Sequence, residues 1–253
     1  MEKSLQDTKE LYNGQANDWA RTEPILLSDY SARPAVIDLC EPLAGKKILD
    51  IGCGEGYVGR TLLKRGAAHV HGIDISQAMI DHAEQLGQQH GLTNATYACD
   101  DIRNLKSSNE QVDLVLAMFL FNYLNVEETA AVMQKAYEQL KPGGYFIFSV
   151  PHPSLPYLKK DKFPFYFQVL GGYFTGRNTL FPGEIWRRDG VSVGVQCVHK
   201  TVQDYFDGLR TAGFEFMPEV KELRIDQTHV DLDPGFFTPL IDLPLHMAFK
   251  VRK

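Results

Sequence analysis

The sequence predicts an α/β protein built on a parallel sheet, and three observations carry that prediction. From about residue 46, short apolar runs alternate with amphipathic stretches, the pattern of βαβ units. The first apolar run enters a glycine-rich turn, Gly52-Cys53-Gly54-Glu55-Gly56, of the kind that lets a backbone approach a ligand closely. The alternation stops after residue 151 and resumes at residue 201, which marks 152–200 as an insertion.

Each element has its own local signal. Strand one is the run KKILDIG, and a helix over Tyr57–Arg65 is ended by Gly66. HVHGIDI reads as strand two, and Ser76 caps the helix QAMIDHAEQLGQQH. ATYACD is a third strand and VDLVLAMFLF a fourth. Asn125 with Glu128 three residues on forms a capping box that opens a helix through Leu140. KPGG makes the turn into strand five, YFIFSV.

Residues 152–200 are rich in proline, glycine and aromatics, and within them GEIWRRDGVSVGVQCVH predicts a hairpin turning at Asp189-Gly190. Thr201 then caps VQDYFDGLRTAG, followed by the strands FEFMPEVKEL and LHMAFKVR. The expected organisation is a helical arm over 1–45, a core formed by 46–151 and 201–253, and a substrate-side cap over 152–200.

Composition narrows the function. A chain of 253 residues with 44% apolar and 23% charged residues suits one sizeable core. The formal net charge of −6, without a basic block, disfavours nucleic acid and anionic membranes as partners. The four cysteines, Cys40, Cys53, Cys99 and Cys197, form no C-x-x-C pair, so neither structural zinc nor a disulfide framework is expected. The N-terminus lacks an apolar signal region, and no apolar run reaches membrane-spanning length. A soluble, cytoplasmic protein is the expectation, with its oligomeric state left open.

The glycine turn supports two registers. Read from Gly54 it is a G-x-G-x-x-G of the dinucleotide kind, which would leave Asp50 and Gly52 inside a buried strand. A carboxylate is costly there, and glycine weakens a strand interior. Read from Gly52, the strand is KKILDI and Asp50 stands at its mouth, aimed at the ligand. Asp74, at the end of strand two, suits ribose hydroxyls under either reading.

ILDIGCGEG, Asp74 in GIDIS, Asp101 in CDDIRNL, and LKPGG before strand five together resemble the class I S-adenosylmethionine-dependent methyltransferases. The resemblance covers residues 46–150, and LHMAFKVR fits that family's last strand. It implies a Rossmann-like, seven-stranded, mostly parallel sheet with helices on both faces and an antiparallel last strand. S-adenosylmethionine would be the cofactor and S-adenosylhomocysteine its product.

The resemblance also implies roles. Asp50 would help hold the cofactor's amino group, and Gly52, Gly54 and Gly56 would flank its methionine part. Asp74 would take the ribose hydroxyls, while Ile75 and Met79 border adenine. Asp101 would bond the adenine amino group, with Ile102 on the ring and Asp100 a competitor for the acid's place. Ala117 and Met118 would line the sulfonium side, and Tyr12 of the arm would close over the cofactor. For Gly56 and Gly59 the competing role is tight helix–strand packing.

The acceptor side is less determined. Phe163, Phe165, Tyr166, Phe167, Tyr173, Phe174, Phe181 and Trp186 suit either a satellite core or the wall of an acceptor pocket. After strand four the chain reads AMFLFNYL, without the Asp/Asn-Pro-Pro-aromatic run of base amino methyltransferases. A small-molecule acceptor is therefore expected, methylated at oxygen or nitrogen by in-line displacement, with no metal required. A cofactor-binding regulatory module without turnover and an NAD-dependent oxidoreductase are the alternatives. His152, just after strand five, and His199, closing the hairpin, are the candidate bases; each also suits a hydrogen-bonded structural role.

Overall fold

The computed structural model describes residues 2–106, 110–158 and 163–253, with side chains in the first helix from Thr8 onward. The chain opens with three helices, α1 (Glu2–Trp19), α2 (Leu27–Ser31) and α3 (Arg33–Leu39). It then alternates β1 (Lys47–Ile51), α4 (Tyr57–Lys64), β2 (His69–Asp74), α5 (Gln77–Gln89), β3 (Ala95–Cys99), β4 (Val112–Met118), α6 (Val126–Gln139) and β5 (Leu140–Pro151). After the short strands β6 (Phe165–Phe167), β7 (Leu180–Trp186) and β8 (Ser192–Val198), the core resumes with α7 (Val202–Ala212) and β9 (Glu219–Leu223). Two short helices, α8 (Gln227–Leu232) and α9 (Pro234–Phe237), precede the closing strand β10 (His246–Arg252).

The main sheet has seven strands in the order β3-β2-β1-β4-β5-β10-β9. Pairing is parallel from β3 through β5, and β10 runs antiparallel to both neighbours, β5 and β9. This is the Rossmann-like sheet expected, antiparallel last strand included. Successive strand residues point to opposite faces, so Ile48 and Leu49 enter different cores. Leu49, Ile51, Val115, Phe146, Phe148 and Phe249 pack under α6 and α7, and the Phe148 ring stacks on Phe249 with centroids 4.5 Å apart. Ile48, Leu114, Leu116 and Ile147 pack on the other face against Val36 and Ile37 of α3 and Leu62 of α4. A sheet buried on both faces needs this continuous apolar content.

The predicted caps form. Ser76 accepts from the Met79 N–H, and reciprocal boxes pair Asn125 with Glu128 and Thr201 with Asp204. Three boundaries differ from expectation. Strand β4 stops at Met118, because Phe119 adopts φ 57° and the chain then turns through a 3₁₀ segment, Phe121–Tyr123. The ladder to β4 begins at Leu140, opposite Val112, and shifts register before Tyr145, so KPGG forms an irregularity within β5. Only Glu219–Leu223 of FEFMPEVKEL is strand; Phe216 and Met217 are exposed, and Pro218 lacks the N–H a longer ladder would need. The helices α8 and α9 were not anticipated; Asp226 and Asp233 cap them.

Within 152–200, β6, β7 and β8 form a separate antiparallel sheet, with Asp189-Gly190 in the β7–β8 connection and Gly190 at φ 85°. Residues 159–162 of the predicted cap lie outside the described residues. This small sheet shares a core with Leu27 of the arm and with Phe237, Leu240 and Leu245. The arm helix α1 lies between α5 and β8. Ser76 Oγ donates to Asn13 Oδ1 at 2.6 Å, and the Gly194 N–H donates to Gln15 Oε1 at 3.0 Å.

Candidate active site

The carboxyl ends of the parallel strands open into a cavity of about 230 Å³. The arm contributes Tyr12, Trp19, Arg21 and Arg33 to its wall, and the glycine turn contributes Gly52 to Glu55. Phe165, Phe167, Ile185 and Val195 of the inserted sheet close the opposite side. Ligand sites in open α/β sheets form at this edge for topological reasons.

At one end of the cavity lie most of the predicted cofactor residues: Tyr12, Asp50, Gly52, Gly54, Asp74, Ile75, Met79, Asp100, Asp101, Ile102 and Met118 all line it. The Gly54 N–H donates to Asp74 Oδ2 at 2.8 Å and the Ser76 N–H to Asp74 Oδ1 at 3.0 Å. Gly54 holds φ 55°, a conformation that glycine adopts without the Cβ penalty. Burial raises the Asp74 pKa against the opposing pull of these backbone donors. Asp50 is 1% exposed, and its Oδ1 has no partner among the described residues. Burial, with the nearby Asp74 charge adding to it, pushes the Asp50 carboxyl up to about 7.

The doubled acid divides its work. The Asp101 carboxylate accepts from Arg103 Nε and from the Arg103 backbone N–H, each at 3.0 Å. Asp100 Oδ1 accepts the neighbouring Asp101 N–H at 2.7 Å and stays on an exposed residue. Tyr12 meets Tyr123 hydroxyl to hydroxyl, with the rings edge-on at 5.4 Å.

Four predicted site residues are not brought to the cavity. Gly56 faces the protein: a Cβ there would lie 2.8 Å from Tyr97 Oη, so helix–strand packing accounts for it. Ala117 is fully buried inside β4 opposite Phe148. His152 has both ring nitrogens engaged, Nδ1 by the Ser154 N–H at 3.1 Å and Nε2 with Glu222 Oε1 at 3.3 Å. His199 donates from Nε2 to the Tyr173 carbonyl at 2.7 Å and stacks on Phe181 with centroids 5.5 Å apart. Neither histidine lines the cavity. The insertion's aromatics split accordingly: Phe165 and Phe167 form wall, while Tyr173 and Phe181 pack around His199.

Other lining residues escaped the sequence reading. Arg21 and Arg33 line the cavity and flank the buried Asp29 behind it, with both guanidinium groups 2.8 Å from its Oδ1. These charges hold its carboxyl below the usual range despite burial, which opposes them. Arg33 also faces the Phe119 ring at 5.6 Å, and Phe119 meets His246 edge-on at 5.0 Å. Left-handed backbone at a bulky residue is strained and concentrates at functional sites. His246 is the first residue of β10. An antiparallel last strand starts where the parallel strands end, which is a sequence-level signal that could have placed it here.

Comparison with known proteins agrees with this geometry. Residues 48–144 match the family model described as a methyltransferase domain. A ubiquinone biosynthesis O-methyltransferase of Coxiella burnetii is 32% identical over 149 residues, 56% of this chain and 62% of that protein. The chain spans between half and two thirds of the length of the curated relatives it matches first. An S-adenosylmethionine-dependent methyltransferase structure from Mesorhizobium loti superposes with a TM-score of 0.65 at 23% identity, over 87% of this chain and 96% of that one. Magnesium protoporphyrin IX methyltransferase from Synechocystis PCC 6803, with S-adenosylhomocysteine bound, gives 0.62 at 16% identity over 99% of both chains. Residues 48–144 are thus similar to a methyltransferase domain, and the chain has the fold of these S-adenosylmethionine-dependent methyltransferase structures.

The residues present fit the cofactor of that class. An unpartnered buried carboxylate, Asp50, suits a cationic ligand group such as an ammonium. Beside it, Asp74 and the glycine turn supply acceptor and cradle, and Met79 and Ile102 supply an apolar face. Among the described residues, no group of three His, Cys, Asp or Glu side chains is arranged to hold a metal. No helix among them is long and apolar enough to cross a membrane.

Proposed function

We propose that this protein is an S-adenosylmethionine-dependent methyltransferase acting on an oxygen or nitrogen of a small, largely apolar acceptor. The observation that supports this reading best is the continuity of one cavity. It runs from Asp50, Asp74 and Gly54 to a chamber walled by Phe165, Phe167, Ile185 and Val195. S-adenosylmethionine, when bound, supplies a methyl group activated by its attachment to a sulfonium.

The chain's own residues bind, orient and exclude water. Asp74 offers the remaining lone pairs of its carboxylate to ribose hydroxyls, and Asp50 faces the amino group. Asp100 and Asp101 stand at the adenine end with Ile75, Met79 and Ile102. Aligning nucleophile, methyl carbon and sulfur supplies much of the rate of such a displacement. The aromatic chamber holds the acceptor dry while the Tyr12–Tyr123 contact closes the arm over it.

The test is calorimetry followed by labelling. S-adenosylmethionine and S-adenosylhomocysteine are expected to bind, with no comparable binding of NAD. Transfer of labelled methyl into a small-molecule extract, with mass identification of the product, then names the acceptor. Tight NAD binding without any response to S-adenosylmethionine would overturn the proposal. Cofactor binding without labelling of any product across a broad acceptor panel would point instead to a regulatory module.

A further inference from the structure

We infer that His246 is the catalytic base for an oxygen acceptor, its Nε2 taking the proton from the acceptor's hydroxyl as the methyl group is transferred. The inference rests on the methyltransferase reading and goes beyond it by naming the group that receives the proton. It stands on the hydrogen-bond geometry of one imidazole and on the topology that delivers it.

Strand β10 pairs His246 with Pro151 at the end of β5 and with Leu223 of β9. Because β10 is antiparallel, its first residue arrives at the same edge as the ends of β1, β2 and β4. His246 lines the cavity there, at 7% exposure. Its ring is fixed from two sides. Phe119 packs against it edge-on, and Nδ1 lies 2.8 Å from Ser31 Oγ. The Ser31 hydroxyl is placed to donate its one hydrogen to the Leu27 carbonyl at 3.0 Å, and in that arrangement it accepts from His246 at 2.8 Å. Nδ1 therefore carries the ring proton, and the lone pair is on Nε2.

That second nitrogen has no hydrogen-bond partner among the described residues, on a ring that lines the cavity. A histidine with one nitrogen anchored and the other open to a cavity is oriented as a base. The contrast with His152 and His199 lies in placement, since His246 lines the cavity and they do not.

Charged and titratable groups around the ring keep it neutral. Burial, the Arg33 guanidinium from α3 and His152 after β5 together push its pKa down to about 3. Arg33 is itself paired with Asp29, and His152 with Glu222. So weak a base still serves an oxygen acceptor, because an oxygen acquiring a third bond becomes an oxonium, a strong acid, during the step. The acceptor lone pair forms the new bond to the methyl carbon, and the carbon–sulfur bond breaks with its electron pair left on sulfur as a neutral thioether. The proton moves to Nε2, giving an imidazolium that returns it to solvent when the cavity opens.

The experiment uses the full chain saturated with S-adenosylhomocysteine and labelled with ¹⁵N-histidine. Nitrogen shifts assigned through His246→Gln are expected to show Nδ1–H and an unprotonated Nε2 from pH 8 to pH 5. Ser31→Ala is expected to shift the tautomer population towards Nε2–H. In parallel, the rate of label transfer from methyl-labelled S-adenosylmethionine into the small-molecule extract is expected to fall about 10²–10⁴-fold in His246→Gln. S-adenosylhomocysteine affinity should be unchanged in that variant. An Nε2–H tautomer in the wild type, or near-normal transfer by a folded His246→Gln, would overturn the inference. Failure of the wild type to bind S-adenosylhomocysteine would instead overturn the reading beneath it. His246→Asn serves as the second variant should the glutamine prove too large for the site.

Discussion

Asp74 accepts the backbone N–H of Gly54 at 2.8 Å, so the acid ending β2 and the glycine turn after β1 form one unit. The carboxylate both holds the turn in its left-handed shape and stands at the cavity wall.

Replacing Asp74 by Asn should therefore act twice. One carboxylate oxygen becomes an amide NH₂ that faces a backbone donor, and a charge-assisted acceptor for ribose is lost. Hydrogen bonds to a charged group contribute about 1.5–3 kcal/mol each, so calorimetry should show at least a tenfold weaker affinity for S-adenosylhomocysteine. Thermal melting should report a folded protein. An unchanged affinity would show that Asp74 serves the turn alone.

Asp50 makes cofactor affinity depend on pH. Its folded pKa of about 7 lies above the unfolded carboxyl value, so the folded state retains a proton that the unfolded state loses. Without ligand, stability falls as pH rises from about 4 to about 7, and is flat beyond that. An ammonium group binds the ionised carboxylate, so affinity should rise between pH 6 and pH 8, with proton release visible in buffers of different ionisation enthalpy. Asp50→Asn should abolish that pH dependence and raise the melting temperature of the free protein at pH 8. A wild-type affinity flat over this range would show that the cofactor does not engage Asp50.

The proposed cofactor half of the site is legible in sequence because it is local. Asp50, Gly52, Gly54 and Asp74 sit at strand ends that short-range patterning locates, and the parallel sheet then brings those ends together. The acceptor half is assembled from distant pieces. Arg33 comes from the arm, Phe119 from an unanticipated left-handed turn, Phe165 from the insertion and His246 from the last strand. Nothing in the spacing of these residues relates them. His152 and His199 looked placed for the acceptor side from their position after predicted strands. Partner geometry, which sequence does not carry, turned both away.

The arm should respond to ligand. Helix α1 is held by polar side-chain contacts, Asn13 to Ser76 and Gln15 to Gly194, together with the Tyr12–Tyr123 meeting over the cavity. Such elements open more readily than apolar cores. Proteolysis within the arm should slow when S-adenosylhomocysteine is bound, and Tyr12→Ala should reduce that protection. Equal cleavage rates with and without ligand would mean that the arm is a fixed wall.

His199, away from the cavity, supplies a test of its own role. Its ring lies 1% exposed against Phe181, with Tyr157 and Tyr173 edge-on at 5.2 Å, and its Nε2–H satisfies the Tyr173 carbonyl. Removing it leaves a cavity and an unpaired acceptor, so His199→Ala should lower stability by about 2–4 kcal/mol in denaturant unfolding. The sign of the pH effect follows from burial, which lowers the folded pKa below its ordinary value. The unfolded chain then binds more protons below about pH 6.5, and this residue's contribution to stability is lost as pH falls. His199→Phe keeps the stacking without a titratable ring, so its stability should decline less than that of the wild type between pH 6.5 and pH 5. Its cofactor affinity and methyl transfer should stay within about threefold, whereas loss of the acidic limb of the rate profile would restore His199 as the base.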